Sequence, residues 1–364
     1  MKRDEKVISI ALASDQRYFT GLVGTLISVF VNASKEYSYR IYLIDGGIDS
    51  LSKKSLFNIV DSIKLNIKLS FIQVDLTNYK NYLPSFYFDS IMPYARLLIP
   101  EVLVNVDKII YIDSDILFFK DIGNLWELNL NGKSSAVARE IIIPELRDDC
   151  SNYASLNLKP DAPYFNSGLM IMDLVKFREK EIARKTLEYL KNNKEACKFW
   201  DQSALNVTLY DDFILLDQSW NTQSHRKAFK LETEFNKLYN FKINYHFVTS
   251  FKPWLYYNNS PQNQLFYTLL SKVNYSFNNP SFNNSQQLYN RKIRFYQWMP
   301  IYYKLRSFIR KIQGNQKLSL SDKKIAEFWI EQIPLIKYQN KIKNETTSML
   351  LKWEQRIEEC LVRE

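Results

Sequence analysis

Two aspartates one residue apart, Asp113 and Asp115, interrupt the run Lys108-Ile109-Ile110-Tyr111-Ile112-Asp113-Ser114-Asp115-Ile116-Leu117-Phe118-Phe119. Carboxylates this close repel each other unless a cation sits between them, and hard oxygen ligands suit Mg²⁺ or Mn²⁺. The apolar, β-branched residues in front lack a period of 3.6 and read as a strand buried on both faces. Within such a sheet an unpartnered ionised pair would cost on the order of several kcal/mol. The pair therefore belongs at the strand's carboxyl end, where open α/β sheets hold their ligands. Asp-x-Asp alone is a weak signal, and its meaning depends on the company it keeps. The chain has only two histidines. His225, in Ser-His-Arg-Lys, reads as a surface residue. His246 stands in a polar, aromatic loop six residues before Lys252-Pro253-Trp254 and reads as a ligand.

The elements that must position these residues alternate. Val7–Leu12 is a strand, Thr20–Val31 a helix with Leu22, Leu26, Val29 and Phe30 along one face, and Tyr39–Ile44 a second strand closed by Asp45-Gly46-Gly47. Ser52–Ile63 is helical and Ile67–Val74 extended. Such alternation argues for βαβ units and an α/β fold with a mixed, mainly parallel sheet flanked by helices, its ligands gathering near Asp15, Asp45 and Asp113. Phe86–Glu101 reads as a loop and a helix broken by Pro93 and Pro100. Ile143–Tyr164 reads as an irregular loop, Phe165–Asp173 as a turn entering a strand, and Trp200–Asn206 as a short helix with an acid–amide pair at its start. Phe213–Leu216 is the last clear strand.

Composition sets the outer bounds. A chain of 364 residues that is 46% hydrophobic and 15% aromatic can bury a sizeable core, which excludes global disorder. Three widely spaced cysteines, Cys150, Cys197 and Cys360, form neither a disulfide framework nor a CxxC metal site, and fit a reducing cytoplasm. Met1–Ser14 superficially resembles a signal peptide, but Asp4 and Glu5 spoil its basic region, and a first core strand is the better reading. No stretch approaches the roughly 20 apolar residues of a membrane-spanning helix. Nearly all of the net charge of +10 lies after Arg291, and no acid occurs between Glu234 and Asp322.

Taken in order, Ala-Ser-Asp near the start, Tyr94-Ala95-Arg96, Tyr-Ile-Asp-Ser-Asp, Phe-Asn-Ser-Gly, Trp-Asp-Gln and a His followed by Lys-Pro-Trp resemble glycosyltransferase family 8. These are retaining nucleotide-sugar transferases of GT-A fold, and the match covers about residues 6–270. The resemblance implies that Asp113, Asp115 and His246 hold Mn²⁺, with Mg²⁺ as the alternative. It implies that Asp15 and Tyr18 hold uracil, that Arg96 and Asp201 grip the donor sugar, and that Asn166 lies beside the anomeric centre. Lys252 would neutralise the departing UDP; Ser114 and Thr249 join the donor-binding set. Gln202 matches the residue nearest the reacting face. A glutamine is a poor nucleophile, so front-face substitution is favoured over a covalent intermediate on Asp201. Two departures stand out: Arg17 where the family usually has Asn, and Thr249 where it usually has Gly.

Residues 1–270 thus read as the catalytic domain and 271–364 as a helical C-terminal appendage. Asn274–Asn284 reads as a linker. Pro300–Gln313 reads as a helix with Pro at its first turn and Gly314 beyond its end, followed by helices at Ser321–Gln332 and Glu345–Leu361. Arg291–Lys311 carries seven basic residues and no acid, interleaved with Phe295, Tyr296, Trp298, Tyr302 and Tyr303. That pattern suits an anionic bilayer surface, a protein acceptor, or packing on the catalytic domain; no nucleic-acid fold signature accompanies it. The expected enzyme is a Mn²⁺-dependent hexosyltransferase. It takes galactose or glucose from UDP-galactose or UDP-glucose to a bacterial glycan, glycoprotein or glycolipid acceptor, in the cytoplasm or on the inner face of the cell membrane. The alternatives are a glycogenin-like self-glucosylating enzyme, with an acceptor among the 24 tyrosines, and an inactive binding module on a transferase fold.

Overall fold

The computed structural model describes residues 6–361 except 76, 78–90, 225–237, 239, 257–259, 276–281 and 332–342. Its elements follow in the order β1 (Val7–Ser14), α1 (Phe19–Val31), β2 (Ser38–Asp45), α2 (Ser50–Asp61), β3 (Asn66–Gln73), α3 (Ala95–Val102), β4 (Lys108–Ile112) and β5 (Ile116–Leu117). Next come α4 (Gly123–Trp126), β6 (Ser135–Arg139), α5 (Leu146–Asp149), β7 (Phe165–Asp173), α6 (Leu174–Glu179), α7 (Ile182–Asn192), α8 (Trp200–Thr208) and β8 (Phe213–Leu216). The chain continues with β9 (Thr222–Gln223), β10 (Tyr245–His246), α9 (Pro261–Lys272), α10 (Phe282–Ile312), α11 (Gln316–Glu331) and α12 (Lys343–Cys360).

Seven strands form one sheet in the order β3-β2-β1-β4-β7-β6-β8. The pairs from β3 through β4 are parallel, and β7 runs antiparallel to both of its neighbours. That reversal matters for the site. The carboxyl ends of β1 and β4 lie at the same edge as the amino end of β7 and the carboxyl end of β6. Ile112 is opposite Leu169 and Ala138 opposite Asn166, with an irregularity in register after Val137. Asp15, Asp113, Glu140 and Asn166 are thereby delivered to one edge from four strands. A second sheet, β5-β10-β9, is built from pairs of residues only. It sets His246 opposite Ile116 and beside Gln223.

Strand residues alternate between two apolar clusters. Ile8, Ile10, Leu12, Ile110 and Ile112 face α1, α9 and α12, whereas Ala11, Ala13, Ile109 and Tyr111 face α3, α6, α7 and α8. Gly21 allows α1 to approach closely, because a Cβ there would collide with Trp254 and with the carbonyl of Ser114. Caps fix helix starts: the Asp49 side chain accepts from Ser52 N ahead of α2, and Ser260 caps α9 with Pro261 in its first turn.

Several sequence expectations are revised. Phe165 already belongs to β7, and His246 lies in a strand, because pairing across the chain supplies hydrogen bonds that local pattern does not reveal. The segment from Ile143 to Tyr164 contains α5 with a capping box, and packs Leu146, Cys150 and Tyr164 into a small core of its own. The helix expected to begin at Pro300 begins at Phe282, with Pro300 inside it. Of the three C-terminal helices, α12 is built into the main core: Trp353 is fully buried, donates from Nε1 to Leu265 O at 3.1 Å, and meets Phe119 edge to face. The other two pair with each other, and Asp322 of α11 is gripped by Arg306 and Arg310 of α10 at 2.6 and 2.9 Å.

Candidate active site

The turn after β4 brings Asp113 and Asp115 to the sheet edge, and the second sheet carries His246 across to them. One ligand atom from each of the three lies within 4.8 Å of the others. Each residue has its second polar atom already committed. Asp113 Oδ1 accepts from Tyr111 Oη at 2.8 Å and from Arg96 at 3.0 Å, which leaves Oδ2. Asp115 Oδ2 accepts from Lys252 Nζ, which leaves Oδ1. His246 Nδ1 meets Asn221 Oδ1 at 2.8 Å, which leaves Nε2. Asp115 Oδ1 is buried without a hydrogen-bond partner and lies 3.0 Å from His246 Nε2. An orphaned carboxylate oxygen facing the free nitrogen of an imidazole is a donor set that a divalent cation fits. Gly168 forms the wall beside it: a Cβ there would collide with His246 Cε1 and stand 2.8 Å from Asp113 Oδ2.

Charge is balanced around this set. Burial works to raise the Asp115 carboxyl, but Lys252 and His246 overcome it and hold it below the usual carboxylate range. Burial likewise opposes the charge of Arg96, yet Asp113 and Asp201 outweigh it and hold the guanidinium firmly protonated. Arg96 stacks on Tyr111, with its guanidinium carbon 4.6 Å from the ring centre, and also donates to Pro93 O and Ser167 O. Each of its three nitrogens thus makes a contact within the protein, Asp113 included.

Asp201, on the first turn of α8, lies 3.0 Å from Arg96 Nε, and burial pushes its carboxyl up to about 6, opposed by Arg96 and reinforced by Asp113. Gln202 Oε1 accepts from Ser167 N at 3.1 Å and from Asn166 Nδ2 at 3.2 Å, so its amide is held by backbone. Asn166 also donates to Glu140 Oε2 at 3.0 Å. Asp15 Oδ1 accepts from Tyr18 N at 3.1 Å, and Tyr18 stands edge to face with Trp254, 5.9 Å between ring centres. Ser114 is buried and donates to Ala13 O at 3.3 Å. Thr249 is buried, and its hydroxyl accepts from Phe251 N at 3.3 Å, which braces the loop ahead of Lys252.

Asp45 is not part of this cluster. Its carboxylate is filled by Gly47 N, Ile48 N, Gln73 and Lys53, and shapes a turn. His225 lies outside the described residues. Three contributors escaped sequence reasoning: Tyr111, Glu140 and Asn221. Tyr111 had a usable signal, because residues two apart on a strand share a face and it precedes Asp113 by two. Glu140 is a single acid after a buried strand, and Asn221 a single amide in a loop; neither stands out without the fold.

The family described as "Glycosyl transferase family 8" matches residues 9–258. The chain belongs to glycosyltransferase family 8. Among curated relatives it is 27% identical over 296 residues to general stress protein A of Bacillus subtilis, covering 78% of this chain and 100% of that protein. It is 26% identical over 258 residues to the lipopolysaccharide 1,2-glucosyltransferase of Escherichia coli, covering 68% and 72%. Among solved structures, the galactosyltransferase LgtC in complex with donor and acceptor sugar analogs superposes with a TM-score of 0.57 at 22% identity, over 68% of this chain and 89% of that one. At that identity the likeness speaks for a shared fold. As a member of family 8, this protein is a glycosyltransferase of GT-A fold that uses a nucleotide-sugar donor and a glycan acceptor.

Proposed function

We propose that the protein is a divalent-metal-dependent, retaining hexosyltransferase that moves galactose or glucose from a UDP-sugar to a hydroxyl of a bacterial glycan. The observation that carries this reading is the trio of uncommitted atoms, Asp113 Oδ2, Asp115 Oδ1 and His246 Nε2, gathered at the sheet edge. The relatives named as a glucosyltransferase and a galactosyltransferase support a hexose donor. Bound among these atoms, Mn²⁺ or Mg²⁺ would neutralise the diphosphate and the charge it gains as the glycosidic bond breaks.

The chain's own residues do the rest. Lys252, buried beside Asp115, brings a second positive charge to the leaving group, where it counts most in the transition state. By the family resemblance, Asp15 and Tyr18 would meet the base, and Asp201 with Arg96 the donor sugar. Gln202, its oxygen pinned by Ser167 N, borders the reacting face. With an amide rather than a carboxylate there, the acceptor hydroxyl attacks on the side from which UDP leaves and passes its proton to a phosphate oxygen. The test is UDP release from a panel of UDP-sugars with Mn²⁺. Release from UDP-galactose or UDP-glucose above the other donors is the expected result, and preference for a non-hexose donor would overturn it.

A second reading concerns location. On α10, Phe295, Trp298, Tyr302, Leu305, Ile309 and Ile312 recur every three or four residues and are exposed, Trp298 by 68% and Ile312 by 71%. Exposed Arg291, Arg294, Lys304 and Lys311 accompany them. We propose that this stripe rests on an anionic membrane surface, where apolar and aromatic side chains enter the headgroup boundary and basic ones meet phosphate. Among the described residues no helix is long and apolar enough to cross a membrane.

A further inference from the structure

We infer that Asn221 is a positioning residue for the cation site: it fixes the His246 proton on Nδ1 and so presents the Nε2 lone pair to the metal. This deepens the reading of Asp113, Asp115 and His246 as metal ligands and rests on it.

The argument starts from a group whose sense is beyond choice, a backbone N–H. Gly168 N donates to Asn166 Oδ1 at 3.0 Å, so that atom is the amide oxygen, and Asn166 Nδ2 is the group facing Glu140 and Gln202. Asn166 Oδ1 also lies 2.8 Å from an amide atom of Asn221. Two carbonyl oxygens at that distance would repel, so the atom is Nδ2 and it donates. Asn221 Oδ1 is therefore the atom 2.8 Å from His246 Nδ1. A carbonyl oxygen accepts only, so Nδ1 carries the proton. Nε2 is then the ring nitrogen that faces Asp115 Oδ1, 3.0 Å away, on the side where an ion would sit.

Gly168 N and Asn221 Nδ2 both donate to Asn166 Oδ1, and His246 Nδ1 donates to Asn221 Oδ1, so each sense follows from the one before. Asn221 is fully buried, and Asn166 and His246 nearly so, so bulk water cannot replace a missing link. The second sheet holds the parts in register: Thr222 N donates to Asn244 O and Ser224 N to His246 O. A free imidazole prefers its proton on Nε2, the nitrogen that would have to ligate. Asn221 reverses that preference before any ion arrives. An outer partner of this kind is commonly worth about 10–100-fold in metal affinity.

Two readouts test this, neither of them turnover. Long-range ¹H–¹⁵N spectra of histidine-labelled protein without metal report the tautomer, and His225→Gln assigns the only other ring. Calorimetry with Mn²⁺ in the presence of UDP reports affinity. Wild type is expected to show the Nδ1–H tautomer. Asn221→Ala should move the ring toward Nε2–H and weaken Mn²⁺ binding about 10–100-fold. Asn221→Asp, which keeps an acceptor for Nδ1–H but loses the amide donor to Asn166 Oδ1, should retain the Nδ1–H tautomer that Asn221→Ala loses. An Nε2–H ring in wild type overturns the proposal without recourse to any variant. So does Asn221→Ala with its tautomer and Mn²⁺ affinity unchanged. Wild type that shows the Nδ1–H ring yet binds no Mn²⁺ overturns the metal reading instead, and the metal-free spectra tell the two failures apart.

Discussion

Asp201 carries a pH sensitivity that can be worked out from its surroundings. Burial lifts its carboxyl from the ordinary 3.8 to about 6, Arg96 opposing and Asp113 adding to the lift. Between those values the folded chain keeps a proton that the unfolded chain has released. The group's contribution to stability is therefore present below 3.8 and lost as pH rises through about 6. Asp201→Asn preserves size and abolishes this titration, so its melting temperature should decline less than that of wild type across the same window. Identical declines would show that Asp201 does not titrate there. At this scale the site was legible where residue type and spacing were both unusual. Asp-x-Asp after an apolar strand stood out by itself; the family resemblance was what joined His246 to it. Asn221 was not legible, because its partners Asn166 and His246 are 55 and 25 residues away. The Tyr111 ring is buried, while its hydroxyl serves Asp113.

Among the elements, α12 is the one whose place the sequence left open. Its aligned apolar residues marked a face without saying what that face covers. The structure sets Met349, Trp353 and Ile357 in the main core, and Lys272 of α9 pairs with Glu358 of α12 at 2.8 Å. Trp353 joins Phe119 and Phe241, so the far end of the chain braces the strand exit that leads from Asp115. Trp353→Ala should cost about 3–5 kcal/mol, the range for deleting a buried aromatic, measured by denaturant unfolding. A loss under about 1 kcal/mol would mean that α12 is dispensable to the core, since surface changes fall in that range. Strand periodicity fixed the alternating βαβ half because burial on both faces leaves continuous apolar runs. It missed β9 and β10, which are two residues each and are held by pairing rather than by pattern.

Over the whole molecule, function divides by region: chemistry at the edge of the main sheet, and an exposed basic and apolar stripe on α10. If that stripe meets a membrane, the protein should sediment with vesicles containing anionic lipid, less so at high salt. Trp298→Glu with Ile309→Glu should abolish sedimentation and leave UDP release in solution unchanged. Equal binding to neutral vesicles, or no effect of the double variant, would count against an electrostatic and interfacial contact. The charge asymmetry was plain in the sequence; the exposure of the stripe was not, because an amphipathic helix looks the same whether its apolar face is covered or bare. The central claim, that Asp113, Asp115 and His246 hold a cation on which transfer depends, is tested most directly by UDP release from the preferred donor. It should be measured with Mn²⁺, with chelator, and in Asp115→Ala. Release should occur with Mn²⁺, vanish with chelator, return on adding Mn²⁺ back, and stay at background in a folded Asp115→Ala protein. Undiminished release with chelator or in that variant would contradict it.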